Sequence, residues 1–434
     1  VLDDLFAGAA AWWDLPGIVQ LVNMLTYAAF AAVIARRLLA ESGPPRHWGG
    51  RLLTGALVLL GVFLCLNQFA EMENVVSQTT DFGTIHAGSR ALWSGGDPYA
   101  ATSNGYFYPP LLAFLFGLIS WLPPAGASLF FFTLKLVMVV WTLSVCDRLV
   151  DGFRFSDGRR ALFLFGLVFV AARFWITDLQ FGNTNVPIMF LVVGTIYWDR
   201  EDRPWVAGLA LAVAASVKIL PVVLCLHFLL LGRWRTLGWF AGGLAVLNLG
   251  PWLFLQGHWW ATWEAYFGAG VAGKLSERLA QPDNQSLWGV INRLFPVQPL
   301  SALRLVWFGA AAVSAAFAGW VSWRSRPAGS RAAVTAAALY PLLGLMVSPG
   351  SWVVHYTAVM LPMAVLWEAA LARRWTGPLP WVVFAAANLA FTASGWARWT
   401  VHASITQSWF VVAAIVMMGS LGVGANLDRR EGVK

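Results

Sequence analysis

Apolar runs of near-membrane length recur from one end of this 434-residue chain to the other. They fall near residues 17–35, 52–70, 107–122, 126–146, 160–177, 183–198, 204–231, 236–256, 302–321, 331–347, 353–371, 379–395 and 404–424. A helix needs about 20 apolar residues to cross a bilayer, so most of these runs predict single spans. The 204–231 stretch is longer than one span requires and carries Lys218 and Pro221 near its middle. Proline removes a backbone donor and disrupts a helix, so this stretch predicts two short helices meeting at "SVKILP". The 107–122 segment is short and bracketed by Tyr108-Pro109-Pro110 and Pro123-Pro124. It predicts a helix lying at the outer interface, or one that dips in and returns with its backbone buried by protein. A β-barrel would show weak alternation in short segments instead. The pattern predicts an all-α polytopic membrane protein with about 12–13 transmembrane helices and one interfacial helix.

Composition agrees: 59% of residues are hydrophobic and 12% charged, against about 25% charged in a soluble domain. The net charge of +8 does not point to nucleic acid, because the basic residues cluster at the ends of apolar runs, where they set orientation. Basic connectors at 35–51, 147–160, 199–203, 232–235, 323–331, 372–374 and 428–430 all face the cytoplasm if 107–122 does not cross. The polar connectors then meet on the outer side: 71–106, "TDLQFGN" (177–183), the Lys218 break, 257–300, "SPGSW" (348–352) and the stretch near 396–403. The start, "VLDDLFAGAAAWWDLPG", has no basic region ahead of its apolar run, so no cleavable signal peptide is expected. Cys65, Cys146 and Cys225 form no C-x-x-C pair and predict neither a zinc site nor a redox pair.

Candidate chemistry sits on those outer connectors. Asp81 in "QTTDFG" admits a general base or a solvated charge beside a Thr cap. An Asp81–His86 pair alone is a poor metal site, since no second ligand pair appears at helical spacing. Asp97 in "SGGDPY" reads as a turn residue. Tyr108 in "YFYPP" serves either as an interfacial anchor or as a substrate contact. Gln180, Asn183 and Asn185 in "QFGNTN" can cap a helix or hydrogen-bond sugar hydroxyls. Lys218 is the most demanding residue. A Lys inside an apolar run costs roughly 2.5–3.5 kcal/mol on insertion scales and marks a site by default, and a fixed cation there suits a phosphate. Arg293, within "SLWGVINRLF", and His355, one turn into a span, lie at the same depth. The charges at Lys274, Glu277, Arg278 and Asp283 read as solvated, and Asn284-Gln285-Ser286 matches a weak glycosylation sequon.

Taken in order, "TDFG", "GGDPY", "YFYPP", "QFGNTN", "ASVKILP", "RWR", "NQS" with a following Arg, and "SPGSWVVH" resemble glycosyltransferase family 87 over roughly residues 52–372. These are C-type enzymes that use polyprenyl-phosphate sugars. The resemblance implies one integral membrane glycosyltransferase domain over 1–434, with an outer catalytic loop at 71–107 and an outer loop at 257–300. It implies inverting transfer of one sugar, mannose ahead of arabinofuranose, to a glycolipid or cell-envelope glycan on the outer face of a bacterial plasma membrane. The partners expected are the polyprenyl-phosphate sugar, the acceptor glycan and membrane lipid, with no nucleic acid. No nucleotide, no other cofactor and no obligatory metal is expected. Asp81 is the implied base. Lys218, Arg293 and His355 are implied at the donor phosphate. Gln180, Asn183, Tyr108, His86, Asn284 and Gln285 are implied around sugar and acceptor. The chain departs from the family pattern in lacking a Tyr shortly after Asp81 and in placing Phe181 within "QFGNTN". A secondary transporter is the rival of another class. It predicts repeated broken helices, and only 204–231 is broken in the pattern.

Overall fold

The computed structural model describes residues 80–101, 105–151, 154–270, 284–295, 299–326, 330–373, 375 and 409–432. All of them belong to one compact unit, Glu71–Lys434. The expected segments at 17–35, 52–70 and 379–395, the start of the chain, Cys65, the stretch at 396–403, and Lys274, Glu277, Arg278 and Asp283 lie outside the described residues.

Among the described residues, all regular structure is helical. Pro124–Leu149, Trp234–Leu255, Leu300–Arg324, Val354–Ala372 and Val411–Arg429 are long and apolar enough to cross a membrane. Leu300–Arg324 turns Leu305, Phe308 and Val313 outward, the kind of apolar surface that marks contact with a membrane or another protein. The protein is an integral membrane protein built from helices.

The elements that carry the polar residues follow. Helix α1 (Asp81–Trp93) begins where the sequence suggested a loop. Thr80 caps it, its Oγ1 accepting from the Gly83 amide at 3.1 Å, so Asp81 is the first helical residue. The connector at 71–107 therefore contains a helix, started by a Thr cap that satisfies an otherwise orphaned donor. The "SGGDPY" turn ends it, with Asp97 Oδ1 accepting from the Tyr99 amide at 2.8 Å.

Helix α2 (Pro110–Ser120) has 11 residues and is about 17 Å long at 1.5 Å per residue. That is too short to cross about 30 Å of hydrocarbon, as expected for a segment that does not span. It packs along α1 through the Phe82–Phe116 edge contact and the Trp93 Nε1 bond to the Phe114 carbonyl at 3.1 Å. Helices α3 (Pro124–Leu149), α4 (Asp157–Phe181) and α5 (Asn185–Arg200) follow. The 204–231 stretch breaks as expected. Helix α6 (Pro204–Val217) stops at Lys218, which is extended (φ −143°, ψ 127°). A 3₁₀ turn, Leu220–Val223, then leads into α7 (Leu224–Leu230). Helix α8 (Trp234–Leu249) packs on α6, where Gly208 allows backbone contact with Thr236 and Phe240. Farther on, α9 (Leu287–Leu294) carries Arg293, and the 3₁₀ segment Val353–Val359 carries His355 ahead of α10 (Met360–Ala372).

Candidate active site

Three of the suspected residues meet through one side chain. Asn183 Nδ2 donates to Asp81 Oδ2 at 2.7 Å across a sequence separation of 102. On its other side, Asn183 Oδ1 accepts from Lys218 Nζ at 3.4 Å and from Asn185 Nδ2 at 2.7 Å. Lys218 Nζ also donates to Asn185 Oδ1. A carboxylate and an ammonium are thereby held on opposite ends of one primary amide. The Tyr108 ring lies 5.8 Å from Lys218 Nζ, within the range at which a ring face attracts a cation.

The local sequence explains the arrangement. Helix α4 ends in a Schellman turn: the Gly182 amide bonds the Leu179 carbonyl at 3.3 Å, and the Asn183 amide bonds the Asp178 carbonyl at 3.1 Å. Gly182 is left-handed (φ 65°). A Cβ built there would stand 2.4 Å from Phe82 Cβ. Glycine therefore permits both the turn and the close approach of the loop to α1, which brings Asn183 to Asp81.

The loop is held from beneath by residues that sequence reasoning missed. Lys135, in the interior of α3, pairs with Asp178 Oδ1 at 2.9 Å, and neither side chain has any solvent exposure. Lys135 Nζ also donates to the Asp178 carbonyl at 2.7 Å and the Asn183 carbonyl at 3.1 Å. Asp178 Oδ2 accepts from the Asn185 amide at 3.0 Å, which places a carboxylate at the N-terminus of α5, where the helix dipole favours it. The signal for Lys135 was present: a lone Lys inside "FFFTLKLVMVV", the same signal that singled out Lys218.

Asp81 is half-buried. Burial holds its carboxyl above the usual carboxylate range, while the Asn183 hydrogen bond and the Lys218 charge pull it back down. Its Oδ1 has no hydrogen-bond partner among the described residues and is free to accept a proton.

The remaining candidates divide. His355 lies close enough to Lys218 to feel its charge, and its Nδ1 accepts from the Trp352 amide at 3.1 Å. Asn284 is turned inward. Its Oδ1 accepts from the amides of Ser286 at 3.2 Å and Ser351 at 3.0 Å, and its Nδ2 donates to the Pro349 carbonyl at 3.1 Å. Gln285 joins the same knot through its backbone: its amide bonds the Ser351 carbonyl and its carbonyl accepts from Tyr356 Oη, both at 2.7 Å. Arg293 Nη1 donates to the Asn284 carbonyl at 2.8 Å. Asn284 thus fastens "NQS" to "SPGSW". His86 faces Leu122, with Nε2 3.3 Å from that carbonyl, and stacks on Phe82. Burial lowers its pKa, and the ring braces α1 against the end of α2. Gln180 has a side chain outside the described residues.

A family model described as glycosyltransferase family 87 matches residues 106–349. Two similar proteins are polyprenol-phosphate-mannose-dependent alpha-(1-2)-phosphatidylinositol mannoside mannosyltransferases. The one from Mycobacterium tuberculosis is 27% identical over 76% of this chain and 80% of its own length. The one from Mycolicibacterium smegmatis is 28% identical over 78% and 83%. Among solved structures, ArnT from Cupriavidus metallidurans in the apo state aligns with a TM-score of 0.44 and 17% identity, covering 86% of this chain and 73% of that one.

Proposed function

We propose that this chain, which belongs to glycosyltransferase family 87, transfers one mannosyl residue with inversion from a polyprenyl phosphate to a glycolipid acceptor on the outer face of the membrane. The observation that carries this reading is the Asn183 amide, which fixes a base at Asp81 and a cation at Lys218 in one unit. Asp81 Oδ1 takes the proton of the acceptor hydroxyl as that oxygen attacks the sugar C1. The C1–phosphate bond breaks and the polyprenyl phosphate leaves as an anion. A phosphate leaving group needs no acid to protonate it, so one carboxylate is enough, where a glycosidase needs two. It needs positive charge fixed in advance, and Lys218 supplies it, with His355 beside it. Because Lys218 fills that role, no metal and no nucleotide enters the scheme. The named substrates of the two mycobacterial relatives support mannose and a phosphatidylinositol mannoside as donor and acceptor class.

The test is transfer by the purified chain in liposomes. Labelled polyprenyl-phosphate mannose and a phosphatidylinositol mannoside acceptor are expected to give product, with no loss on adding a chelator. Product only from polyprenyl-phosphate arabinofuranose, or only from a nucleotide sugar, would replace the donor in this reading. Protection of the acceptor by sealing it inside vesicles of known orientation reports the facing side.

Gly182→Ala carries a separate expectation. The left-handed conformation costs a residue with a Cβ roughly 1–2 kcal/mol, and the added methyl meets Phe82. Transfer should drop at least about tenfold, the size expected when reacting groups shift by a fraction of an ångström, with a small fall in melting temperature. An unchanged rate would mean that the approach of the loop to α1 does not set the site.

A further inference from the structure

The buried Lys135–Asp178 pair touches neither the Asp81 carboxylate nor Lys218 directly, yet its bonds go to the loop that joins them. Lysine has three donors. They reach the Asp178 carbonyl, Asp178 Oδ1 and the Asn183 carbonyl. The second oxygen of Asp178 holds the Asn185 amide, and the Asn185 side chain bonds both Asn183 and Lys218. A pair serving only to staple α3 to α4 could be apolar, since buried ion pairs are often matched or bettered by apolar replacements. Here the polar atoms instead fix two backbone carbonyls and one backbone amide between Asp178 and Asn185.

We propose that Lys135 and Asp178 are positioning residues for the transfer reaction: they set the pose of the Asn183 turn and so the placement of the base and the cation it holds. This inference rests on the reading of Asp81 as general base. The charges also reach the base with opposite sign: Asp178 raises the Asp81 pKa and Lys135 lowers it. Among the described residues, the other titratable groups facing Asp81 are Lys218, from the break after α6, and Tyr108, ahead of α2. His86 and Arg90 share its own helix.

The test uses the full chain in liposomes and measures kcat, KM for the donor and the pH profile of kcat. Asp178→Asn leaves Lys135 uncompensated, so Asp81 deprotonates more readily and the acidic limb should move to lower pH. Lys135→Met leaves Asp178 uncompensated, and the limb should move to higher pH. The double replacement Lys135→Met with Asp178→Leu removes both charges. It should return the limb to the wild-type position while kcat stays at least about tenfold lower and KM for the donor is little changed. A role confined to stapling helices would lower the folded fraction and leave the folded double variant with wild-type kcat.

A folded double variant with wild-type kcat overturns the proposal, as does a limb that stays fixed in both single variants. If Lys135→Met does not fold, Asp178→Asn and the double variant still decide it. Asp81→Asn in the same series separates the two ideas. Full activity there removes the base reading itself. An inactive Asp81→Asn beside a wild-type double variant removes only the positioning role.

Discussion

Asp81→Asn is expected to give a folded protein whose mannosyl transfer falls by about 10²–10⁴-fold, the range a positioned general base contributes. The substitution keeps size and shape. Asn183 Nδ2 can still donate to the new amide oxygen in place of the 2.7 Å bond to the carboxylate, and the Thr80 cap does not involve the side chain at 81. Melting temperature should therefore hold. What disappears is basicity at the oxygen that has no hydrogen-bond partner among the described residues. The wild-type pH profile carries the same signature. Burial raises the Asp81 pKa, and the base acts only when deprotonated. Transfer is thus lost as pH falls through that raised value, above where an ordinary carboxylate titrates. The acidic limb should vanish in Asp81→Asn. A folded variant with the wild-type rate, or one that keeps the same limb, would remove Asp81 from the chemistry.

The parts of this site that were visible in the sequence are those where a residue type conflicts with its surroundings. Lys218 conflicts with an apolar run, and Pro221 announces the break that frees it. The helix does end there, with Lys218 extended. The 11-residue α2 was visible because two Pro-Pro pairs bracket it. What periodicity cannot carry is which way a polar side chain turns. Asn284 has the right type and depth for a sugar contact, and the fold shows its amide bonded to the backbone of Ser351, Ser286 and Pro349, which its position in the sequence does not announce. His86 is five residues after Asp81 and so faces elsewhere on the same helix, toward Leu122. The junction itself was hidden for another reason. Asn183 looks like a helix cap, and its bonds to Asp81 and Lys218 cross separations of 102 and 35 residues. No local pattern encodes such contacts. Lys135 was legible by the rule that found Lys218, but its partner Asp178 reads as one more polar residue in "TDLQFGN". Only the folded turn shows that its two oxygens serve different helices.

Lys218→Met carries the second large effect, and it separates two roles for one charge. Methionine keeps an unbranched stem beside the Tyr108 ring and removes the ammonium. If that ammonium stabilises the departing phosphate, kcat should fall by about 10²–10³-fold, the cost of losing one preorganised group that meets developing charge. Lys218 also lowers the Asp81 pKa, so its removal should shift the acidic limb to higher pH. The two effects part at alkaline pH. A cation that acted only by keeping Asp81 ionised would become dispensable once the pH lies above the shifted limb, and the rate would return to wild type. A cation that acts on the phosphate leaves a lowered plateau at every pH, because no proton equilibrium replaces the missing charge. The lowered plateau together with the shifted limb is the expected result. Full recovery at high pH would reassign Lys218 from the leaving group to the base, and the donor phosphate would then need its positive charge from Arg293.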